Sequence, residues 1–338
     1  MGKNKEQIPY HFSVRTDLAV EARELASERQ RREEMDGIEV TVEDLCGGNV
    51  KVTWVEVYNE AGAESMGKPI GNYITIESNA MKENDTKVHE EIMKILAKRL
   101  EKLRKLKKNA VILVVGLGNW NVTPDALGPK VVSKILVTRH LTGNLPKELE
   151  GNVRPVGAIS AGVMGLTGIE TAEIIKGVTD RIKPDLVIAI DALAARRTSR
   201  VNSTIQISDA GINPGAGVGN KRMELSEQSL GVPVIAIGVP TVVDAATLVN
   251  DTMDRMLEAM AEQAQRGSEF FNMLGSLADE DKYHLITEIL NPYTGNMFVT
   301  PKEVDSVIER LANIIANGIN IALHPGVSTE DINRFINA

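Results

Sequence analysis

The chain of 338 residues is 43% hydrophobic and 25% charged, a balance typical of a globular protein that buries a substantial core. Its formal net charge of -8 argues against non-specific binding of nucleic acid, because such binding needs a basic surface. Residues 1–13 lack the apolar centre of a secretory signal, and no run approaches the roughly 20 apolar residues that span a bilayer. We therefore expect a cytoplasmic protein that contacts neither a membrane nor nucleic acid directly.

Cysteine occurs once, at Cys46, which rules out a disulfide within the chain and is typical of a reducing compartment. A lone cysteine can act as a nucleophile, but Cys46 precedes Gly47 and Gly48 in a stretch whose glycines predict a turn. A structural role is the favoured interpretation.

The N-terminal part of the chain changes character at Asp17. Residues 1–17 are polar and predict an exposed arm, whereas residues 18–32 predict an amphipathic helix with Asp17 as its N-cap. A β-rich subdomain over residues 36–80 follows, because apolar and polar residues alternate there as in half-buried antiparallel strands. The predicted strands are 38–42, 51–58 and 73–77. The next predicted helix, residues 86–107, ends in lysines and arginines, which favours a solvated helix end over a nucleic-acid contact.

From residue 111 onward strands and helices alternate, which predicts an α/β fold with a mainly parallel sheet and helices on both faces. The predicted strands are 111–115, 153–159, 186–190 and 234–238, and the predicted helices are 128–140, 169–182 and 241–265. Residues 202–222 predict a long irregular segment, residues 266–281 a polar loop, and residues 282–338 two short helices and a tail. We expect residues 18–338 to form a single α/β domain behind the N-terminal arm.

An aspartate follows two of these strands near the point where the strand ends. Gly118 lies just beyond the apolar run at 111–115, and Asp125 lies on the segment that leads into the next predicted helix. Asp191 comes directly after the strand at 186–190. In an open α/β sheet the site lies outside the carboxyl ends of the strands, so we expect both carboxylates at the same edge.

Two neighbouring carboxylates allow three interpretations. They cannot both ionise easily when they lie close together, so the pair can hold one proton while its ionised member activates water to attack an amide. The same pair could hold a metal that activates the water, or each aspartate could cap a helix or bind main-chain amides. No HExxH pair connects the scattered histidines, and no GxSxG sequence offers a serine nucleophile. The histidines are His11, His89, His140, His284 and His324.

Glycine-rich segments are the candidates for substrate contact. The sequence GVMGLTGIET at residues 162–171 either wraps an extended chain or makes a tight strand-to-helix connection. Residues 211–222 favour a loop that lines a substrate groove over a phosphate site, because no strand runs into these glycines and the GxGxxG spacing fails. The candidate lining residues are Asn119, Thr123, Thr167, Gly168, Gly215 and Gly217. A noncatalytic protein that holds a peptide or an anion in these loops is the alternative from a different class.

Six segments together resemble the germination protease of spore-forming bacteria, and they follow the family's order across nearly the whole chain. They are HFSVRTDLAVEA at residues 11–22, GLGNWNVTPDALGPK at 116–130, GVMGLTGIET at 162–171, AIDALAAR at 189–196, NSTIQISDAGINPGAGVGNKR at 202–222 and VTPKEVD at 299–305. Several of these segments are long, which makes the resemblance specific.

The resemblance implies an endopeptidase of the spore core that degrades the small acid-soluble proteins coating DNA in dormant spores. It also implies a fold like that of the hydrogenase-maturation endopeptidases, a homotetramer, and an inactive precursor that removes a short N-terminal segment itself. The family's two catalytic acids fall on Asp125 and Asp191. The hydrogenase-maturation enzymes bind a metal with carboxylates and a histidine, but no histidine here lies in a loop after a predicted strand. We therefore expect an acid dyad that activates water without a metal or another cofactor.

The N-terminal arm carries the predicted self-cleavage site. Substrates of the family are cut after an acidic residue and before a large apolar one, and residues 16–21, TDLAVE, have this arrangement. The resemblance therefore predicts that residues 1–17 are a propeptide and that cleavage falls between Asp17 and Leu18. Asp17 could instead serve only as the cap of the following helix, and both roles are compatible in the precursor.

Overall fold

A computed structural model describes residues 16–30, 35–143, 152–214, 223–263, 286, 289 and 297–327. The strands are β1 (Ile38–Leu45), β2 (Val50–Val57), β3 (Gly71–Glu77), β4 (Ile112–Gly116), β5 (Val156–Ser160), β6 (Leu186–Ala195), β7 (Thr204–Ser208), β8 (Val234–Asp244) and β9 (Phe298–Val299). The helices are α1 (Ala19–Gln30), α2 (Glu60–Met66), α3 (Thr86–Leu103), α4 (Leu127–Val132), α5 (Met164–Thr167), α6 (Thr171–Ile182), α7 (Glu227–Leu230), α8 (Ala245–Gln263) and α9 (Val304–Leu323).

The described strands form one mixed sheet in the order β1-β2-β3-β7-β8-β6-β4-β5, with β9 paired to β8. Strands β8, β6, β4 and β5 run parallel to one another, whereas β1, β2, β3 and β7 pair antiparallel. The predicted parallel α/β sheet and its β-rich N-terminal extension are confirmed. The extension continues the same sheet, because Ile207 of β7 pairs with Ile74 of β3 on one side and with Ile237 of β8 on the other.

Helices cover both faces of the parallel strands, as predicted. Ile112 and Val114 of β4 belong to a core cluster with residues of α3, α4 and α9, whereas Leu113 and Val115 belong to a second cluster with residues of α6 and α7. Successive side chains of a strand point to opposite faces, so a strand covered on both faces is apolar at every position. None of the described helices combines the length and the apolar character that crossing a bilayer requires.

The prediction of an irregular segment over residues 202–222 is wrong for its first part, which forms β7. Ile205 and Ile207 are fully buried between β3 and β8, so this short strand joins the antiparallel and parallel parts of the sheet. Its five residues are too few to produce a clear alternating signal beside the glycines that follow. Residues 215–222, the rest of the glycine-rich loop, lie outside the described part of the chain.

The length predicted for the helix over residues 128–140 is also wrong, because α4 ends at Val132. The chain then turns toward the edge of the sheet, where the Thr138 main-chain N–H donates to the carbonyl oxygen of Val156 at 2.9 Å. This contact with β5 takes the place of continued helical hydrogen bonding. His140 consequently lies in a 3-10 turn rather than late in a helix.

The helix α9, with 20 residues, is longer than the two short helices that the sequence predicts within residues 282–338. Its sequence has a clear apolar face, and this face packs against α3 and α4. A β-carbon at Gly318 would lie 2.5 Å from Leu96 Cδ2, so glycine allows α9 to approach α3 closely. Asn320 is buried, and its Oδ1 accepts the main-chain N–H of Leu136 at 2.9 Å.

Candidate active site

Asp125 is held by the loop that follows β4. The chain leaves β4 through Gly118, whose φ is +105°, and then forms the 3-10 turn Thr123–Asp125. Asp125 Oδ2 accepts the main-chain N–H of Asn119 at 2.8 Å, and Asn119 Oδ1 accepts the main-chain N–H of Asn121 at 3.0 Å. Asn119 therefore orients the carboxylate, and Thr123 opens the turn that carries it.

Glycines allow this loop to pack directly on the strand ends. A β-carbon at Gly118 would lie 2.0 Å from the carbonyl oxygen of Asp125. One at Gly128 would lie 2.3 Å from the carbonyl oxygen of Leu117 and 2.6 Å from that of Ile190. Real β-carbons cannot approach oxygen so closely. The close approach at these glycines brings Asp125 and the first turn of α4 against the ends of β4 and β6.

Asp191 lies within β6 and not after its end, so the predicted strand boundary at residue 190 is wrong. The strand continues to Ala195 because its residues stay paired with β8, with Asp191 opposite Gly238. The Asp191 side chain is only 4% exposed, and its Oδ1 accepts the main-chain N–H of Ala192 at 2.9 Å. A carboxylate buried this deeply needs polar partners or a proton to offset the loss of hydration.

Asp125 and Asp191 line the same cavity, which has a volume of about 340 Å³ and lies at the carboxyl ends of β4 and β6. A third acid, Asp17, also lines it, together with residues of the loop after β4, of α6, and of the ends of β8 and β9. The cavity lies where open α/β sheets hold their ligands. Its volume leaves room for water beside the carboxylates and for side chains of a bound peptide.

The segment before α1 docks on the part of β6 that extends beyond β4. Asp17 Oδ2 accepts the main-chain N–H of Ala194 at 2.9 Å, and the Asp17 N–H donates to the carbonyl oxygen of Ala194 at 3.4 Å. Burial raises the pKa of the Asp17 carboxyl, against the opposing effects of the Ala194 hydrogen bond and the charge of Lys68. Leu18 is fully buried in an apolar cluster with Leu193 and Val243. Asp17 thus bonds to β6 rather than to the first turn of α1, so the predicted capping role is wrong.

The opposite side of this segment is held by two polar side chains that the sequence analysis did not identify. Lys68 Nζ donates to the carbonyl oxygen of Asp17 at 3.0 Å and to that of Thr16 at 3.2 Å. Gln206 Nε2 donates to the same Asp17 oxygen at 3.2 Å, while Gln206 Oε1 accepts the main-chain N–H of Ala19 at 2.5 Å. Burial lowers the pKa of Lys68, and the charges of Asp17 and Glu21 oppose this shift. In the sequence, Gln206 stands out only as a polar residue between apolar neighbours.

Helix α1 is anchored by a group of buried charges. Arg200 donates to both carboxylate oxygens of Glu24, at 2.9 and 2.6 Å, and to Glu77 at 2.9 Å. Glu21 is fully buried, and its carboxylate accepts the main-chain N–H groups of residues 196 and 197 at 2.7 and 3.0 Å. These contacts fix the start of α1, and therefore the adjoining segment 16–18, against the end of β6.

The other predicted lining residues that the structure describes are not among those that line the cavity. From the loop after β4, Val122 and Pro124 line it rather than Asn119 and Thr123. Thr167 and Gly168 lie in an exposed turn at the end of α5, where Thr167 Oγ1 donates to the carbonyl oxygen of Ile169 at 3.0 Å. Gly215 and Gly217 lie outside the described residues.

Two of the described histidines contact main-chain carbonyl oxygens. His89 Nε2 lies 2.9 Å from the carbonyl oxygen of Ala80, and His324 Nε2 lies 3.1 Å from that of Leu136. His11 and His284 lie outside the described residues. Within the described ranges, no group of three or more His, Cys, Asp or Glu side chains is arranged to hold a metal ion.

Two carboxylates that share a cavity at the edge of an α/β sheet, with a main-chain segment held beside them, form a candidate peptidase site. Comparison with known proteins agrees with this class: the family model described as "Germination protease" matches residues 19–266 and 257–336. The chain belongs to the germination protease family.

Several relatives carry the name germination protease. The protein of Clostridium tetani is 56% identical, over 96% of this chain and 100% of its own length. Those of Caldanaerobacter subterraneus and Bacillus cereus are 52% and 48% identical, over 96% of this chain and 98% and 97% of their own lengths. Among solved structures, the NiFe hydrogenase maturation protease HycI from Thermococcus kodakarensis matches with a TM-score of 0.32 and 20% identity, over 65% of this chain and 98% of that protein.

Proposed function

We propose that the chain is the precursor of an acid-dyad endopeptidase that begins the degradation of small acid-soluble, DNA-coating spore proteins during germination. In this proposal Asp125 and Asp191 are the catalytic pair, and the precursor cuts itself between Asp17 and Leu18. One observation carries it: the residue expected before the cut lines the same cavity as both proposed catalytic acids. Asp17 is also held on β6, because its carboxylate accepts the N–H of Ala194 and its own N–H donates to the Ala194 carbonyl oxygen.

The proposed reaction needs only the two carboxylates and water. The ionised aspartate takes a proton from the water molecule as the water oxygen attacks the carbonyl carbon of Asp17. The protonated aspartate stabilises the charge that develops, and the leaving nitrogen of Leu18 receives a proton when the C–N bond breaks. The products are a carboxyl terminus at Asp17 and an amino terminus at Leu18. In this proposal no step uses a metal.

The contacts around the cut also support the proposed substrate. The carboxylate of Asp17 accepts the main-chain N–H of Ala194, and Leu18 packs among apolar side chains of β6 and β8. A peptide with an acidic residue before the cut and a large apolar residue after it fits both positions. When residues 1–17 leave, the position of Asp17 on β6 becomes free for an acidic residue of a substrate from another molecule. Such segments of the acid-soluble spore proteins are the proposed partners, in the spore core, with no direct contact to nucleic acid or membrane.

The decisive experiment follows self-cleavage by intact mass. The full chain and its Asp125→Asn and Asp191→Asn variants are incubated at mildly acidic pH, with and without a chelator. We expect the parent alone to lose residues 1–17, at the same rate with chelator. Asp180→Asn is the matched control, because Asp180 is exposed on α6 and pairs with Lys176 away from the cavity; it should behave as the parent.

Each contrary outcome points to one alternative. Processing that stops with chelator would support a metal-dependent peptidase that uses the same aspartates as ligands. Unchanged processing in both variants would remove Asp125 and Asp191 from catalysis. Tight binding of a peptide without turnover would support the noncatalytic binding protein. The proposed homotetramer is tested separately by light scattering of the purified chain, for which a mass of one or two chains is the contradicting result.

A further inference from the structure

We propose that Lys68 and Gln206 form an oxyanion site, which binds the carbonyl oxygen of the peptide bond that is cut. This inference rests on the proposed cleavage between Asp17 and Leu18. It assigns the activation of the attacked carbonyl group to two residues outside the acid dyad. An oxyanion site consists of preorganised donors aimed at the oxygen on which negative charge develops.

The geometry meets this description. Two side-chain donors converge on the carbonyl oxygen of Asp17, Lys68 Nζ at 3.0 Å and Gln206 Nε2 at 3.2 Å. Asp17 lines both the 340 Å³ cavity of the two aspartates and a second cavity of about 440 Å³ that Lys68 and Gln206 line. Asp17 therefore borders both cavities, one with the proposed water-activating pair and the other with the two hydrogen-bond donors.

Both donors are fixed before any reaction. Lys68 follows Gly67, which ends α2 in a left-handed conformation. The main-chain N–H of Lys68 donates to the carbonyl oxygen of Ala63 at 3.2 Å. The next residue, Pro69, accepts the hydroxyl of Tyr73 at 2.7 Å, which secures this turn to β3. Gln206 lies in β7. Its Oε1 accepts the main-chain N–H of Ala19, on the far side of the cut, and this contact sets the direction of its amide nitrogen. Donors held in this way need little reorganisation as charge develops.

The electrostatics favour the same role. Lys68 is half-buried, and its hydrogen bonds go to neutral main-chain carbonyl oxygens of residues 16 and 17. The charges of Asp17 and Glu21 offset only part of the hydration that this ammonium loses on burial. Negative charge that develops on one of those acceptors in a site of low polarity would be stabilised strongly by it. The arrangement therefore stabilises the tetrahedral intermediate more than the intact peptide, which is the requirement for catalysis.

The atoms balance without a further reactant. The water oxygen bonds to the carbonyl carbon of Asp17, one water proton goes to the ionised aspartate of the dyad, and the carbonyl electrons move onto the carbonyl oxygen. Lys68 and Gln206 hold that oxyanion by hydrogen bonds, and Lys68 keeps its proton throughout. When the oxyanion collapses, the C–N bond breaks and the nitrogen of Leu18 takes a proton from the dyad. The same site would then bind the carbonyl of an acidic residue in a substrate from another molecule.

The test compares self-cleavage rates of the full chain with those of Lys68→Met and Gln206→Glu. We expect Lys68→Met to lower the rate by about 100-fold or more, the effect found when one oxyanion donor is lost. Gln206→Glu keeps the acceptor for the Ala19 N–H and gains an ion pair with Lys68, so it should stay folded yet also process slowly. Lys82→Met is the matched control, because Lys82 donates to the carbonyl oxygen of Ser199 outside both cavities; it should process as the parent.

A second measurement separates chemistry from structure. Each chain, once processed to completion by mass, is assayed on a synthetic peptide with the sequence of residues 11–24, and its thermal midpoint is recorded. An oxyanion role predicts that the Lys68 and Gln206 variants lose kcat with little change in KM or melting temperature. Variants with the parent's kcat, or with a raised KM alone, would overturn the inference. If the parent itself leaves the Asp17–Leu18 bond intact, or the Asp125→Asn variant cleaves it, the proposed function fails instead.

Discussion

Gly118 lies so close to Asp125 that a β-carbon at position 118 would stand 2.0 Å from the Asp125 carbonyl oxygen and 3.0 Å from its Oδ1. The position of the proposed catalytic carboxylate therefore depends on a residue without a side chain. The φ of +105° at Gly118 adds a second constraint, since other residues adopt it only with strain.

The first prediction is that Gly118→Ala prevents self-cleavage by displacing Asp125. Steric overlap and the unfavourable φ should lower the free energy of unfolding by about 1–3 kcal/mol, which leaves most chains folded. Gly177→Ala on α6 is the matched control, because Gly177 is exposed with nothing near its β-carbon position; it should stabilise the chain by up to about 1 kcal/mol. Intact mass and urea unfolding measure the two effects. Parent-like processing in Gly118→Ala would mean that the position of Asp125 is not critical.

The second prediction concerns the order of the proposed self-cleavage. The Asp17–Leu18 bond lies against the chain's own β6, so the first cut should be intramolecular. The initial rate constant for loss of residues 1–17 should then stay constant over a 100-fold dilution of the protein, as followed by intact mass. A rate constant that falls in proportion to concentration would show that one molecule cuts another.

The third prediction is that Arg200→Met loosens α1. Removing the guanidinium leaves the carboxylates of Glu24 and Glu77 without their common partner, which should cost about 3–5 kcal/mol of unfolding free energy. Arg99→Met, which breaks a pair with the more exposed Glu43, should cost about 1 kcal/mol or less. Urea unfolding of both variants against the parent measures the difference. Equal effects would mean that the Arg200 cluster is no more important than a surface pair.

The pH dependence of Arg200→Met has a defined sign. Burial raises the pKa of Glu24, but the hydrogen bond and charge of Arg200 outweigh it and hold this pKa below its ordinary value of 4.5. A carboxyl with a lowered pKa in the folded state stabilises the protein above that ordinary value and loses this contribution as the pH falls. The difference in unfolding free energy between parent and variant should therefore become smaller below about pH 4.5. A difference that stays constant from pH 7 to 4 would contradict the assigned partnership.

The sequence predicted the parts of the site that depend on local pattern. Asp125 and Asp191 could be placed because each follows an apolar run, and the carboxyl ends of neighbouring parallel strands meet at one edge of a sheet. The boundary at Asp191 was missed because continued pairing with β8 extends β6, and pairing between distant segments leaves no mark in local periodicity. The same reason explains the missed strand β7.

Contacts across the chain lay beyond the reach of the sequence pattern. Lys68 belongs to a turn whose Gly-Lys-Pro residues predict only a turn, and Gln206 belongs to a segment expected to be irregular. Their common partner, the carbonyl oxygen of Asp17, is a main-chain atom that any residue would supply. Motif reading detects side-chain types at fixed spacing, so a site built on a main-chain atom becomes visible only when the fold brings the segments together.

The last prediction concerns acid stability through His324, which is fully buried at the end of α9. Burial lowers its pKa to about 4, helped by the positive charge of Arg154 and opposed by the hydrogen bond to the carbonyl oxygen of Leu136. The folded protein keeps this imidazole neutral, whereas the unfolded chain binds a proton near the ordinary value of 6.5. Because the unfolded state binds more protons between these values, stability is lost as the pH falls through this range. The loss between pH 7 and 5 should be about 2 kcal/mol.

His324→Gln tests this assignment, since glutamine can still donate to Leu136 and carries no titrating group. The variant should lose about 2 kcal/mol less unfolding free energy than the parent between pH 7 and 5, as measured by urea unfolding. His140→Gln is the control, because His140 is exposed in its 3-10 turn, and the variant should keep the parent's pH dependence. If His324→Gln and the parent lose stability equally, other groups are responsible for the acid sensitivity. The contact between α9 and the chain after α4 would then be a packing feature without a role in the pH response.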